Sequence, residues 1–130
     1  MIFLLDTDAI IKILNSDPVA IQRLNRHSAV DIGISSIVMY ELCFGAFKGR
    51  HAKRTLGFID DLEFEIADFN VEDARMAGEI RASLNAAGTP IGPYDLLIAG
   101  QALARDLTVI THKTREFSRV KDLRSEDWEI

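Results

Sequence analysis

One cysteine in 130 residues, Cys43, leaves the chain without an intramolecular disulfide, and no Cys/His spacing matches a zinc site. The lone thiol is expected to pack in the core, where free cysteine is usually found. No apolar run approaches the roughly 20 residues that a membrane-spanning helix needs. The N-terminus lacks the basic segment and small-residue cleavage site of a secretory signal, so a cytoplasmic location is expected. With three prolines, no low-complexity stretch and no internal repeat, nothing marks a linker. A composition 48% apolar and 27% charged therefore predicts one globular domain, residues 1–130.

Several chemistries are missing as well. There is no Gly-x-x-x-x-Gly-Lys-Ser/Thr loop and no Gly-x-Gly-x-x-Gly fingerprint after a strand. None of His27, His51 and His112 pairs with a nucleophile or lies near a Gly-x-Ser-x-Gly elbow. A net charge of −5 argues against indiscriminate nucleic-acid binding through overall charge. Local basic surfaces remain: Lys48, Arg50, His51, Lys53 and Arg54 form one cluster, and Lys113, Arg115, Arg119, Lys121 and Arg124 another. Each alone reads equally well as a solvated face.

What is present is an alternation of short apolar runs and amphipathic segments. Strands are predicted at Ile2–Leu5, Ile32–Ile34, Glu65–Ala67 and Thr108–Ile110, with a further edge strand in the tail Asp127–Ile130. Helices are predicted at Asp8–Leu14, Val19–Leu24, from Ser35-Ser36 through Glu41, over Ala52–Leu62, and from a capping box at Asn70 and Asp73 to about Ala87. Gly88 ends that helix, and Thr89–Pro93 cannot be regular helix, so a new helix is expected over Asp95–Ala104. Strands alternating with helices imply an α/β fold, a mainly parallel sheet flanked by helices on both faces, with ligands beyond the carboxyl ends of its strands.

Against this background three carboxylates stand out. Asp6 ends the run Ile2–Leu5, Glu41 interrupts an apolar helix, and Asp95 opens Asp95–Ala99. An isolated buried carboxylate is strongly penalised, so each must be exposed at the end of its element or held by partners. Several acids meeting at one rim repel each other, and a divalent cation relieves that repulsion. An all-oxygen donor set favours magnesium or manganese over zinc.

Four segments carry a resemblance that spans essentially the whole chain: LLDTDAI (Leu4–Ile10), SSIVMYELCFGA (Ser35–Ala46), IGPYDLLIAGQA (Ile91–Ala102) and TREFSRVKDLRSEDW (Thr114–Trp128). In this order and spacing they resemble the PIN-domain toxins of the VapC family. The resemblance implies a PIN-like fold and a magnesium- or manganese-dependent endoribonuclease, acting as the toxin of a type II toxin–antitoxin system and inhibited by a VapB antitoxin. It also implies a homodimer, and a tRNA substrate cut in the anticodon region as in several relatives. Asp6, Glu41 and Asp95 match the family's acids: Asp6 and Asp95 would hold the metal directly, and Glu41 directly or through a water. Thr7 and Ser36 would hydrogen-bond these carboxylates from behind.

One corner departs from the pattern. Where many PIN domains carry a further aspartate, this chain has Lys113, and Glu116 becomes the candidate fourth carboxylate. Lys113 would weaken metal affinity, pair with a carboxylate or contact the scissile phosphate. With an acidic metal centre in place, Lys113, Arg115 and Arg119 become candidate RNA contacts. Phe44, Phe47, Leu56, Phe58 and Ile59 are candidates for an antitoxin groove or for ordinary core. Two alternatives stay open: a PIN-type nuclease with a role in RNA maturation or single-stranded DNA cleavage, and a non-catalytic binding or repressor module.

Overall fold

A computed structural model describes residues 1–130. Its centre is β1 (Phe3–Leu5), whose three side chains are all buried, as befits a strand covered on both faces. Asp6 then caps α1 (Thr7–Leu14), and Asp17 with Pro18 starts α2 (Pro18–Leu24). After a single 3-10 turn at Ala29–Asp31, β2 (Ile32–Ser35) leads directly into α3 (Ser36–Lys48), with the Ser35 hydroxyl accepting from the Ile37 N–H. α4 (Ala52–Asp60) and β3 (Glu65–Ala67) complete the first half.

The second half opens with α5 (Val71–Ala86), where Asn70 and Asp73 form the reciprocal capping box that the sequence signals. Gly88 ends it at φ 71°, a left-handed conformation that glycine adopts without penalty, and the Thr89 N–H reaches back to the Leu84 carbonyl. α6 (Pro93–Ala104), β4 (Thr108–Ile110), α7 (Thr114–Phe117) and β5 (Ser125–Glu126) follow. α5 and α6 lie against each other closely enough that a Cβ on Gly100 would come within 2.6 Å of the Ala77 Cβ.

All strand pairings are parallel, in the order β3-β2-β1-β4-β5. The chain leaves β1 toward β2 and β3 on one side, then crosses back through α5 and α6 to place β4 on the other. That reversal opens a crevice at the carboxyl ends of β1 and β4, where open α/β sheets bind their ligands.

A buried polar knot secures the crossover. Gln101, fully buried, donates to the carbonyls of Ala67 and Asp68 at 3.1 and 3.3 Å and to Asp73 Oδ2 at 3.3 Å. Arg105 grips both oxygens of Asp73, at 3.3 and 2.9 Å. Asp73 thus belongs at once to the cap of α5 and to the seam between α5 and α6.

Four local expectations shift. α4 stops at Asp60 rather than Leu62, because the Leu62 N–H closes a tight turn onto the Ile59 carbonyl. α6 begins at Pro93, whose fixed φ suits the first helical position, so Asp95 is its third residue. The edge strand lies at Ser125–Glu126 instead of in the tail, since Trp128 turns inward onto Phe3 and stacks on His27 at 5.1 Å. Cys43 is half-buried and outside the central core, which its place between the buried Leu42 and the exposed Phe44 on α3 explains.

Candidate active site

Asp6 is the most constrained of the predicted acids. Its backbone N–H pairs with the Ile110 carbonyl at 3.0 Å, tying the exit of β1 to that of β4, while Oδ1 accepts the Ala9 N–H at 2.9 Å as the cap of α1. The residue is only 1% exposed, yet Oδ2 has no hydrogen-bond partner. Burial raises its pKa from 3.8 to about 6, against the opposing pull of the nearby Thr111 hydroxyl, which falls short of hydrogen-bond geometry, of the Ala9 N–H and of the Lys113 ammonium, while the charge of Asp8 adds to the rise. A carboxylate held in this way is stabilised by any cation that reaches it.

Glu41 and Asp95 approach from two helices. Glu41, half-buried on α3, accepts a 2.7 Å hydrogen bond from the Thr7 hydroxyl, which joins it to the residue directly after Asp6. Asp95, in the first turn of α6, receives the Lys113 ammonium at 3.1 and 3.4 Å, and the same ammonium lies 3.7 Å from Asp8. Lys113 reaches this place because its own N–H bonds back to the Thr111 hydroxyl at 2.9 Å, curling the loop after β4 over the crevice. Burial works against its charge, but the hydrogen bond to Asp95 and the charges of Asp95, Asp8 and Asp6 outweigh that effect and raise its pKa.

The other candidates are placed less centrally. Glu116 is half-buried in α7; its backbone N–H donates to the Lys113 carbonyl at 3.1 Å, but its carboxylate makes no hydrogen bond to Thr7, Lys113 or the other site residues. Ser36 accepts from the Phe69 N–H at 3.1 Å and so braces the end of β3, and its hydroxyl makes no hydrogen bond to the acids. Arg115 is exposed, whereas Arg119 donates to the Pro90 carbonyl at 2.9 Å and pins the segment before α6.

The relatives of the chain accord with this geometry. Its sequence matches the PIN domain over residues 3–123. It is 41% identical over 130 aligned positions to a tRNA(fMet)-specific endonuclease VapC of Salmonella typhimurium, with 97% of each chain covered. The corresponding protein of Shigella flexneri is 37% identical over 128 positions, again with 97% of each chain covered. The fold superposes on the solved DNA-bound VapBC of Salmonella typhimurium with a TM-score of 0.91 and 39% identity, covering 98% of both chains. On VapBC2 of Rickettsia felis bound to a promoter DNA fragment the TM-score is 0.90 at 34% identity, with 98% of this chain and 99% of that one covered.

The chain belongs to the VapC family of PIN-domain ribonucleases.

In this VapC the donor set suits a hard divalent ion. Asp6 brings a buried oxygen without a partner and Asp95 and Glu41 bring carboxylates from the flanking helices, although the three do not close to within 4.8 Å of one another and the Lys113 ammonium lies against Asp95 and Asp8. Sequence reasoning missed Asp8 and Thr111, whose part depends on where the loop after β4 lands. It also missed a second collection of ligand-type groups, His112, Asp127 and Glu129, whose ligand atoms lie within 4.8 Å of one another. There His112 Nδ1 meets Asp127 Oδ2 at 2.9 Å, and Asp127 raises the imidazole pKa first by that hydrogen bond and then by its charge, with Glu129 adding to it.

The other face of α3 is apolar. Phe44, Phe47 and Phe58 are exposed, with Lys48 over the Phe44 ring and Arg54 over the Phe58 ring. A groove of about 360 Å³ runs from Ile11 past Glu41 to Phe58, with Ile59 buried at its floor. Leu56 packs against the core instead of lining it. No helix is long and apolar enough to cross a membrane.

Proposed function

We propose that this VapC hydrolyses RNA phosphodiester bonds with Mg2+ or Mn2+, as the toxin of a toxin–antitoxin pair. The observation that carries this reading is Asp6, buried and with one oxygen unpartnered, in the crevice where Lys113 draws in Asp95 and Thr7 draws in Glu41. Asp6 and Asp95 would hold the ion, with Glu41 beside them and Glu116 as the fourth acid. When bound, such an ion supplies the charge that makes water a nucleophile near neutral pH and offsets charge building on the phosphate.

The chain's own residues set the rest. Asp6 cannot swing away, because its backbone and Oδ1 are both engaged. Thr7 holds Glu41 in one orientation, so a water between them and the phosphate is directed rather than diffuse. Lys113, released from Asp95, would turn to the scissile phosphate, with Arg115 exposed beside it for the neighbouring ones. Water as nucleophile gives 5′-phosphate and 3′-hydroxyl ends and leaves the 2′-hydroxyl unused.

Two relatives carry the name tRNA(fMet)-specific endonuclease, which supports a tRNA substrate; the anticodon region is the cut site that the family resemblance implies. The matches to VapBC assemblies, two of them DNA-bound, support a VapB-type antitoxin as partner; with it we infer a homodimer that reaches DNA through the antitoxin. A tRNA target would place the protein in the cytoplasm, with residues 1–130 acting as one domain. Sequencing RNA 5′ ends after induction of the wild type and of Asp95→Asn tests the whole reading. New 5′-phosphate ends at discrete tRNA positions, absent with Asp95→Asn, are expected. Equal growth arrest by the wild type and by Asp6→Asn, with antitoxin binding intact, would favour the non-catalytic module instead.

A further inference from the structure

Directly before two of the three acids stands a tyrosine. Tyr40 precedes Glu41 on α3 and Tyr94 precedes Asp95 on α6, and although 54 positions apart they meet, with ring centroids 5.8 Å apart and hydroxyls at 3.4 Å. Neither serves the core: Tyr40 is 56% and Tyr94 41% exposed. Large aromatic surface left open to water beside a catalytic crevice is costly unless something covers it.

We propose that Tyr40 and Tyr94 form a nucleobase subsite that stacks an unpaired base of the RNA next to the scissile phosphate. This rests on the nuclease reading above. A phosphodiester lying against Asp95 and Glu41 must carry its own bases past the residues adjoining those acids, and unpaired RNA bases are recognised by stacking on exposed aromatic rings. The geometry defines the mode. A base between two parallel rings needs two stacking distances of about 3.4 Å each, more than the 5.8 Å observed, and the rings are tilted by 51°. The base therefore lies on the outer face of one ring, while the paired hydroxyls present donors and acceptors to its edge.

A protein partner suits this pair less well. Phe44 and Phe47 continue the aromatic row of α3 one and two turns further along, and the groove that runs from Ile11 past Glu41 to Phe58 has neither tyrosine in its lining. The tyrosines are the part of the row that is joined by α6, through Tyr94 beside Asp95.

The test uses full-length protein and an RNA stem–loop with 2-aminopurine in its loop, bound to the Asp95→Asn form so that it is not cut. Stacking should quench the fluorophore, and adding Tyr94→Ala or Tyr40→Ala should weaken RNA binding about tenfold, while Tyr94→Phe, which keeps the ring, stays within about twofold of the parent. In the cleaving protein the alanine variants should raise KM with kcat within about twofold. Unchanged quenching and KM in both alanine variants would overturn the subsite and leave the nuclease reading standing. Loss of antitoxin binding with RNA affinity unchanged would overturn it too, assigning the pair to protein recognition. Ring-dependent quenching without any cleavage by the wild type would support the subsite and remove the nuclease reading.

Discussion

Replacing Lys113 with asparagine removes the one cation that the fold itself supplies to the acidic crevice. Its ammonium lies 3.1 Å from Asp95 Oδ2 and 3.7 Å from Asp8, so an incoming divalent ion must displace it or bind beside it. At 3.1 Å the attraction to one carboxylate is about 1.3 kcal/mol at the dielectric of water and about 5 kcal/mol at an effective value of 20. The Lys113 side chain is 40% exposed and that of Asp95 15%, which places the pair toward the watery end. A displaced lysine also regains hydration and rotamer freedom, leaving a net penalty on metal binding of about 1–2 kcal/mol, or roughly tenfold in affinity. Calorimetric titration of Mg2+ and Mn2+ into RNA-free protein should show Lys113→Asn binding about tenfold more tightly than wild type. Lys113→Met separates charge from ligation: it removes the ammonium without adding an oxygen donor and should tighten binding to a similar extent. Unchanged or weaker binding in both variants would refute the reasoning, and tightening by asparagine alone would show that a new ligand, not a lost charge, is responsible.

Asp6 predicts a pH dependence of the opposite sense to an ordinary salt-bridged acid. Its folded pKa, about 6, lies above the unfolded value of 3.8, so the native state binds the extra proton in that window, and the group's contribution falls as pH rises from 4 to 6. The loss reaches about 3 kcal/mol by pH 7, and urea unfolding in chelator should show that Asp6→Asn lacks this slope and is the more stable protein at neutral pH. Identical pH profiles for the two would contradict it. Gly100→Ala should lower the urea midpoint by the equivalent of about 1–3 kcal/mol, since the new methyl meets Ala77 backbone and side chain and only a parting of α5 and α6 makes room; an unchanged midpoint would mean that the helices part freely.

Much of this protein is visible in short windows of its sequence. The apolar runs of β1, β2 and β4, the capping box at Asn70 and Asp73, the proline at the start of α6 and the glycine that ends α5 are all local signals, because hydrogen bonding within a turn and burial on both faces of a strand act over a few residues. The acids were legible for the same reason: Asp6, Glu41 and Asp95 each break an apolar pattern. The tail strand was misplaced because the pull of Trp128 toward Phe3 and His27 comes from the far end of the chain. Ser36 and Arg119 each also hold a long-range backbone partner, the Phe69 amide and the Pro90 carbonyl, which no local signal announces.

The sequence by itself thus determined the fold class, through local period, and the family, through its resemblance over four segments, and it singled out three acids as candidates by residue type. Tertiary structure alone decided how those acids are neutralised. It set β4 beside β1, so that Lys113 rather than Glu116 reaches Asp95, and it joined Thr7 to Glu41 and Tyr40 to Tyr94. Charge and stacking act through space at a few ångströms, and only strand order fixes which distant residues come that close.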